Sequence, residues 1–128
     1  DYLYCYAIIH EKVGFIKEAM IGYKKMVEID HNDLESWLNY SNLLLKEESI
    51  DEAVDSLYQA LEFNPESAKL YYRLSAYSLL MGDETKGLSF FEKALKINFE
   101  LHSELFQFMP KIKENKNLLN LLTNFNNK

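Results

Sequence analysis

A single cysteine, Cys5, rules out an internal disulfide in this 128-residue chain and fits a reducing compartment, so a cytoplasmic setting is expected. No apolar run approaches the roughly 18 residues that a bilayer-crossing helix needs. No basic-then-apolar leader opens the chain either. Arginine is almost missing: Arg73 is the only one, which leaves a single candidate for bidentate recognition of a carboxylate. Basic residues are in the minority, 14 Lys and Arg against 20 Asp and Glu, for a net charge of -6. Such a chain is poorly suited to phosphate backbones or anionic membrane surfaces, so neither nucleic-acid binding nor membrane insertion is expected. The first residue is Asp1 rather than Met and falls inside a repeating pattern, so the chain is expected to be a piece of something longer.

What is present is a globular composition, 48% hydrophobic and 27% charged, in a length sufficient to bury a core. The sequence also repeats. EAMIGYKKMVEID from Glu18, EAVDSLYQALEFN from Glu52 and KGLSFFEKALKIN from Lys86 each begin 34 residues after the one before. The same shift aligns Leu3 with Trp37 and Tyr71, Tyr6 with Tyr40 and Leu74, and Ala7 with Ser41 and Ser75. Further along it aligns Ala19, Ala53 and Gly87; Tyr23, Leu57 and Phe91; Met26, Ala60 and Ala94; and Ile29, Phe63 and Ile97. Independent amphipathic helices in a bundle do not account for a constant period without insertions.

Within each unit the spacing is helical. Trp37, Tyr40, Ser41 and Leu44 share one helix face, and Ala53, Leu57, Ala60, Leu61 and the nearby Phe63 make a second. Ser49 followed three residues later by Glu52 reads as a capping box opening the second helix. Gly14 and Gly82 mark the same turn in the flanking units. Asn64-Pro65 is expected to end one helix and start the next, with Asn64 as cap and Pro65 in the first helical position. Each unit then holds two antiparallel helices of about 12–16 residues. The small residues mark close crossings, where Ala53 or Gly87 is expected to face an aromatic from a neighbour.

These residues resemble the tetratricopeptide repeat, which has 34 residues, two helices and the pattern W-x2-L-G-x2-Y…A-x3-F…P. The middle unit carries Trp37, Ala53, Ala60 and Pro65 at matching places. The third carries Tyr71, Leu74, Gly82, Phe91 and Ala94, and the first carries Gly14, Ala19 and Tyr23. Glu48 departs from the pattern where Gly is usual, as do Ser41 and Ser75. The resemblance implies an all-α fold: an α-solenoid of antiparallel helix pairs wound into a right-handed superhelix. Its repeats fall at 1–33 (short by about one residue at its start), 34–67 and 68–101. Residues 102–126 keep the beat in degraded form, with Leu105, Phe108, Ile112, Leu121 and Phe125 in register. Met109 and Leu121 are bulky where small residues belong, and Pro110 interrupts the first helix. This segment is expected to be a divergent fourth pair capping the stack, with 127–128 as tail and Asn-rich NFNNK frayed.

Stacked helix pairs imply a concave groove lined by the first helix of each unit. The candidate lining is Tyr4 and Ile8, with Cys5 beside them, in the first unit. In the second it is Leu38, Asn39, Asn42 and Leu45, with Glu35 above. In the third it is Tyr72, Arg73, Ala76 and Leu79, with Lys69 above. Apolar members would anchor an extended or helical peptide while Asn pairs with its backbone; alternatively, Tyr72 and Leu38 fill space between successive first helices. Repeat domains that clamp the free carboxylate of chaperone tails use a Lys and an Asn from their first unit, an Asn from the second, and a Lys and an Arg from the third. Asn39, Lys69 and Arg73 fall on the last three of those places. Tyr4 and Ile8 fall on the first two and cannot bind a carboxylate by charge, so that clamp is half present.

No other chemistry is expected. His10, His31 and His102 lie at unrelated phases without zinc-ligand spacing. Cys5 and His10 do not share a helix face. The acidic run Glu47, Glu48, Asp51, Glu52 and Asp55 lacks the alternating-oxygen loop of a Ca²⁺ site and reads as a solvated turn. Without a phosphate loop or nucleophile motif, the expectation is a non-catalytic scaffold with no metal and no cofactor, monomeric or weakly dimeric, that binds a protein or peptide. The rival is a structural module whose groove is filled by its own flanks or by self-association. Helical repeats that bind RNA have a period near 35 and basic grooves, unlike this chain. Ala60→Phe is expected to overpack its helix crossing and to cost about 1–3 kcal/mol, read as a lowered melting temperature.

Overall fold

The computed structural model describes residues 2–126, and among them every regular element is a helix. The chain divides into two compact units, Asp1–Pro65 and Glu66–Lys128. The first contains α1 (Tyr2–Lys12), α2 (Ile16–Ile29), α3 (Leu34–Lys46) and α4 (Ile50–Phe63). The second contains α5 (Ala68–Leu80), α6 (Glu84–Ile97), a 3-10 turn at Phe99–Leu101, α7 (His102–Phe108), a second 3-10 stretch at Pro110–Glu114, and α8 (Lys116–Asn126). The all-α fold that the resemblance implies is the observed one among the described residues.

The first three helical hairpins close on one backbone device. After α1 the Phe15 amide donates to the His10 carbonyl at 2.8 Å, around Gly14 with φ +87°. After α3 the Ser49 amide donates to Leu44 at 2.9 Å around Glu48 with φ +61°, and after α5 Asp83 donates to Ser78 at 2.9 Å around Gly82 with φ +86°. An amide reaching back five residues across one left-handed residue satisfies carbonyls that the helix end leaves open. Glycine enters that region freely. Glu48 has a Cβ that crowds the following carbonyl there.

Side-chain caps select the helix starts. Asp33, Ser67 and Asp83 accept from the amides of Ser36, Leu70 and Lys86. Ser49 does occupy the cap position of α4, but its side chain makes no capping bond, so the expected box is absent. The start expected at Pro65 is also corrected. Asn64 closes α4, its side-chain amide donating to the Ala60 carbonyl at 3.2 Å, and α5 begins only at Ala68 because Ser67 supplies the hydroxyl that Leu70 needs.

In the first unit the core gathers Ala7, Ala19, Tyr23, Met26 and Leu43, with Leu3, Tyr4, Ile16, Met20 and Tyr40 packed around it. Three polar contacts fix its edges: the Tyr23 hydroxyl donates to Glu11 Oε1 at 3.0 Å, Ser36 Oγ to the Met26 sulfur at 3.7 Å, and Trp37 Nε1 to the His31 carbonyl at 2.9 Å. Ala53, Leu57 and Ala60 on α4 are fully buried, as the aligned small and large positions require. Ile29 and Phe63 break the pattern, at 75% and 41% exposed. Each is the last residue of its helix, where the partner helix no longer covers it.

In the second unit α5 is the central helix, buried at nine of its thirteen residues. Gly87 does not face an aromatic. A Cβ there would lie 2.6 Å from Leu79 Cδ2 and 3.3 Å from the Ser75 carbonyl, and Ser75 Oγ donates to the Gly87 carbonyl at 2.7 Å. The beat of 34 carries into α7, which starts at His102 as α5 starts at Ala68 and buries Leu105 as α5 buries Tyr71, but it fails after Phe108. Pro110 ends α7 at Phe108, and the 3-10 stretch that follows advances differently from an α-helix. Leu118, not Leu121, is consequently the fully buried residue of α8. Of NFNNK, residues 124–126 finish α8, while 127–128 lie outside the described residues.

Glu48→Gly is expected to stabilise the chain by about 1 kcal/mol in urea unfolding, since glycine lacks the Cβ that the left-handed position crowds. Unchanged stability would mean that the turn carries no strain.

Candidate peptide-binding faces of the first helices

The candidate residues lie on α1 and α3 of the first unit and on α5 of the second. On α1, Tyr4 and Ile8 are half-buried, and Tyr4 packs against the core of its unit. Cys5 is exposed with a free thiol. On α3, Leu38 is only 5% exposed, so its bulk is committed to packing. Asn39, Asn42 and Leu45 are half-buried. Asn39 and Asn42, three residues apart on one face, make no side-chain hydrogen bond among the described residues.

On α5 the picture differs. Tyr72 is 2% exposed, and its hydroxyl donates to the carbonyls of Asn98 at 2.7 Å and Phe99 at 3.3 Å. Burial, and after it the charge of Glu100, pushes this phenol above its ordinary value. Tyr72 also meets the Phe91 ring edge-on, with centroids 5.7 Å apart. Its work is to tie α5 to the turn after α6, and its reading as a ligand anchor is corrected on that ground. Ala76 is likewise buried, and Leu79 fills the space over Gly87.

Arg73 is half-buried with its guanidinium carbon 3.6 Å from the centroid of the Phe108 ring, in a cation–π stack. Lys69 is half-buried on the same helix. Phe108 was missed as a partner of this face. Its alignment beneath Leu74 marks it as a residue of the next first helix, which is the signal that could have found it.

The remaining candidates are dispersed. His10 Nδ1 donates to the Tyr6 carbonyl at 2.7 Å, and His102 Nδ1 to Phe99 at 2.6 Å. The imidazole of His31 stacks on Phe63 with centroids 4.6 Å apart. Among the described residues no three potential ligands gather around a metal position. Glu47, Glu48, Asp51, Glu52 and Asp55 are all exposed, but only Glu47 and Glu48 lie in the turn; Asp51, Glu52 and Asp55 belong to α4. No described helix is long and apolar enough to cross a membrane.

The family model of the tetratricopeptide repeat matches residues 34–67 and 68–101, together more than half of the chain. The chain belongs to the tetratricopeptide-repeat family. No curated protein sequence matches it. Several solved structures share the tetratricopeptide-repeat fold. MamA superposes with a TM-score of 0.70 at 22% identity, over 96% of this chain and 71% of that one. The Yersinia enterocolitica type III secretion chaperone SycD, in complex with a peptide of the translocator YopD, gives 0.68 at 17%, over 98% and 90%. The TPR2B domain of yeast Sti1, in a complex with pHsp70, gives 0.70 at 15%, over 98% and 94%. At these identities the likeness concerns the fold.

Tyr72→Phe is expected to cost about 1–2 kcal/mol, since two carbonyls lose a buried donor. The neutral phenol is the form the fold retains. Its contribution is therefore complete below the ordinary tyrosine value of about 10 and is lost as pH rises beyond it. Urea unfolding at about pH 8 and about pH 11 should show a shallower alkaline loss in the variant than in the native chain.

Proposed function

We propose that the chain is a non-catalytic protein-interaction module of the cytoplasm, taking a peptide or partner protein on the first-helix faces, without nucleic acid and without cofactor. One observation carries the reading. Asn39 and Asn42 hold half-buried side-chain amides on one face of α3 that make no hydrogen bond among the described residues. Amides partly withdrawn from water gain by pairing with an extended backbone, which offers a donor and an acceptor at every residue. In the first unit Tyr4, Ile8 and Leu45 supply partly exposed apolar surface for side chains; in the second unit, taken by itself, Lys69 and Arg73 place positive charge on α5. Two fold relatives, SycD with a YopD peptide and Sti1 TPR2B with pHsp70, are seen in complexes, which agrees with this use of the fold. The half-present carboxylate clamp is the weaker version, because Arg73 stacks on Phe108 and Tyr4 packs on the core.

A second reading, self-association, has its own observation. Tyr2 and Ile9 on α1 are 80% and 58% exposed, whereas Ser36 and Leu43, 34 residues further on, are fully buried. A helix laid on α1 as α2 lies on α3, supplied by a second copy, would cover them.

The test selects peptides against the native chain and against an Asn39→Ala, Asn42→Ala variant of matched helicity and melting. Loss of two hydrogen bonds should weaken selected peptides about tenfold. Equal affinity for both proteins rejects the Asn face. Selection of nothing, together with a defined oligomer over a concentration series, favours self-association instead.

A further inference from the structure

Away from the first-helix faces, the first unit holds an open cavity of about 470 Å³. Helical spacing builds it. Val27 and Glu28 line it from α2, with His31 from the turn beyond; Trp37 and Tyr40 follow, three apart on α3; Glu62 and Phe63 close it from α4. Its volume lies within the range of ligand pockets.

Two features of the lining point to one ligand chemistry. The first is flat aromatic surface. His31 and Phe63 stack with centroids 4.6 Å apart and planes 17° apart. Trp37 holds the His31 turn in place by its 2.9 Å bond to the carbonyl. The second is negative charge: Glu28 and Glu62 sit at the same place in successive repeats, and both are exposed. Neither carboxylate is in an ion pair or hydrogen bond among the described residues. Lys24 also lines the cavity and offsets one of the two charges. In the third repeat the corresponding residue is Lys96, so the paired carboxylates are particular to this place.

We propose that this cavity, walled by His31, Tyr40 and Phe63 and flanked by Glu28 and Glu62, binds the arginine side chain of a partner protein. A guanidinium is planar, stacks on aromatic faces and donates to a carboxylate in fork geometry, whereas an ammonium is a compact, strongly hydrated point charge. The chain's own net charge of -6 draws a basic segment toward it. The site is lined from α2, α3 and α4 by residues other than Asn39 and Asn42, so it stands or falls apart from that reading.

Trp37 is the only tryptophan and lines the cavity, which makes its emission and its indole NMR signal direct reporters. The probe is the tripeptide Gly-Arg-Gly, acetylated and amidated so that no terminal charge takes part, titrated beside its lysine and citrulline counterparts. The arginine peptide should shift both signals and saturate, the lysine peptide should bind more weakly, and the flat but neutral citrulline peptide should bind about tenfold more weakly. Glu28→Gln with Glu62→Gln, two exposed substitutions of equal size, should bring the arginine peptide to the citrulline level while Asn39→Ala leaves it unchanged. Equal binding of arginine and citrulline, an unaffected double variant, or no shift at about 1 mM peptide overturns the proposal. Lysine binding as tightly as arginine overturns the choice of a guanidinium.

Discussion

Two helices approach only as closely as the smallest side chain at their crossing allows, and this limit organises both units. Gly22 sits where a Cβ would lie 3.0 Å from that of Ala7, and Gly87 where one would collide with Leu79. Ala19, Ala53, Ala60 and Ala94 are fully buried in related places. At Gly87 the approach is close enough for the Ser75 hydroxyl on α5 to reach the carbonyl of the opposite helix. Large residues then fill what the small ones leave: Tyr23, Leu57 and Phe91, one per repeat, are almost wholly enclosed. An interior at crystal-like density tolerates little change in either set.

That alternation of small and large is what made the fold legible. It recurs at a fixed interval, which helix propensity alone does not produce. The turns were legible for a related reason, since a left-handed residue favours glycine and the chain has only four glycines. Helix starts were less so. Ser49 and Asn64 are residue types that cap, yet neither side chain caps the start of a helix here: Ser49 makes no capping bond at α4, and Ser67 caps α5 in place of Asn64. The terminal pair kept enough of the beat to be found but not its register, which Pro110 and the 3-10 stretch displaced.

The candidate face was harder to read because a helix pattern says which residues share a side but not what lies opposite. Leu38, Asn39, Tyr72 and Arg73 are equivalent as positions and different as neighbours. Tyr72 reaches the carbonyls of Asn98 and Phe99 in a turn, and Arg73 lies over Phe108 of α7, contacts that a shared position in the repeat does not specify. The side chains of Asn39 and Asn42 have no such partner among the described residues.

The amino-acid order by itself determined the helix pairs, their period, the close crossings and the exclusion of a disulfide, because each depends on local geometry or on residue identity. Only the tertiary structure decided which polar side chains are occupied and which are available. It turned the last residues of α2 and α4 outward, leaving Phe63 to stack on His31 above an open cavity. Those outcomes depend on distances between residues far apart in the chain, and such distances exist only once the helices have packed.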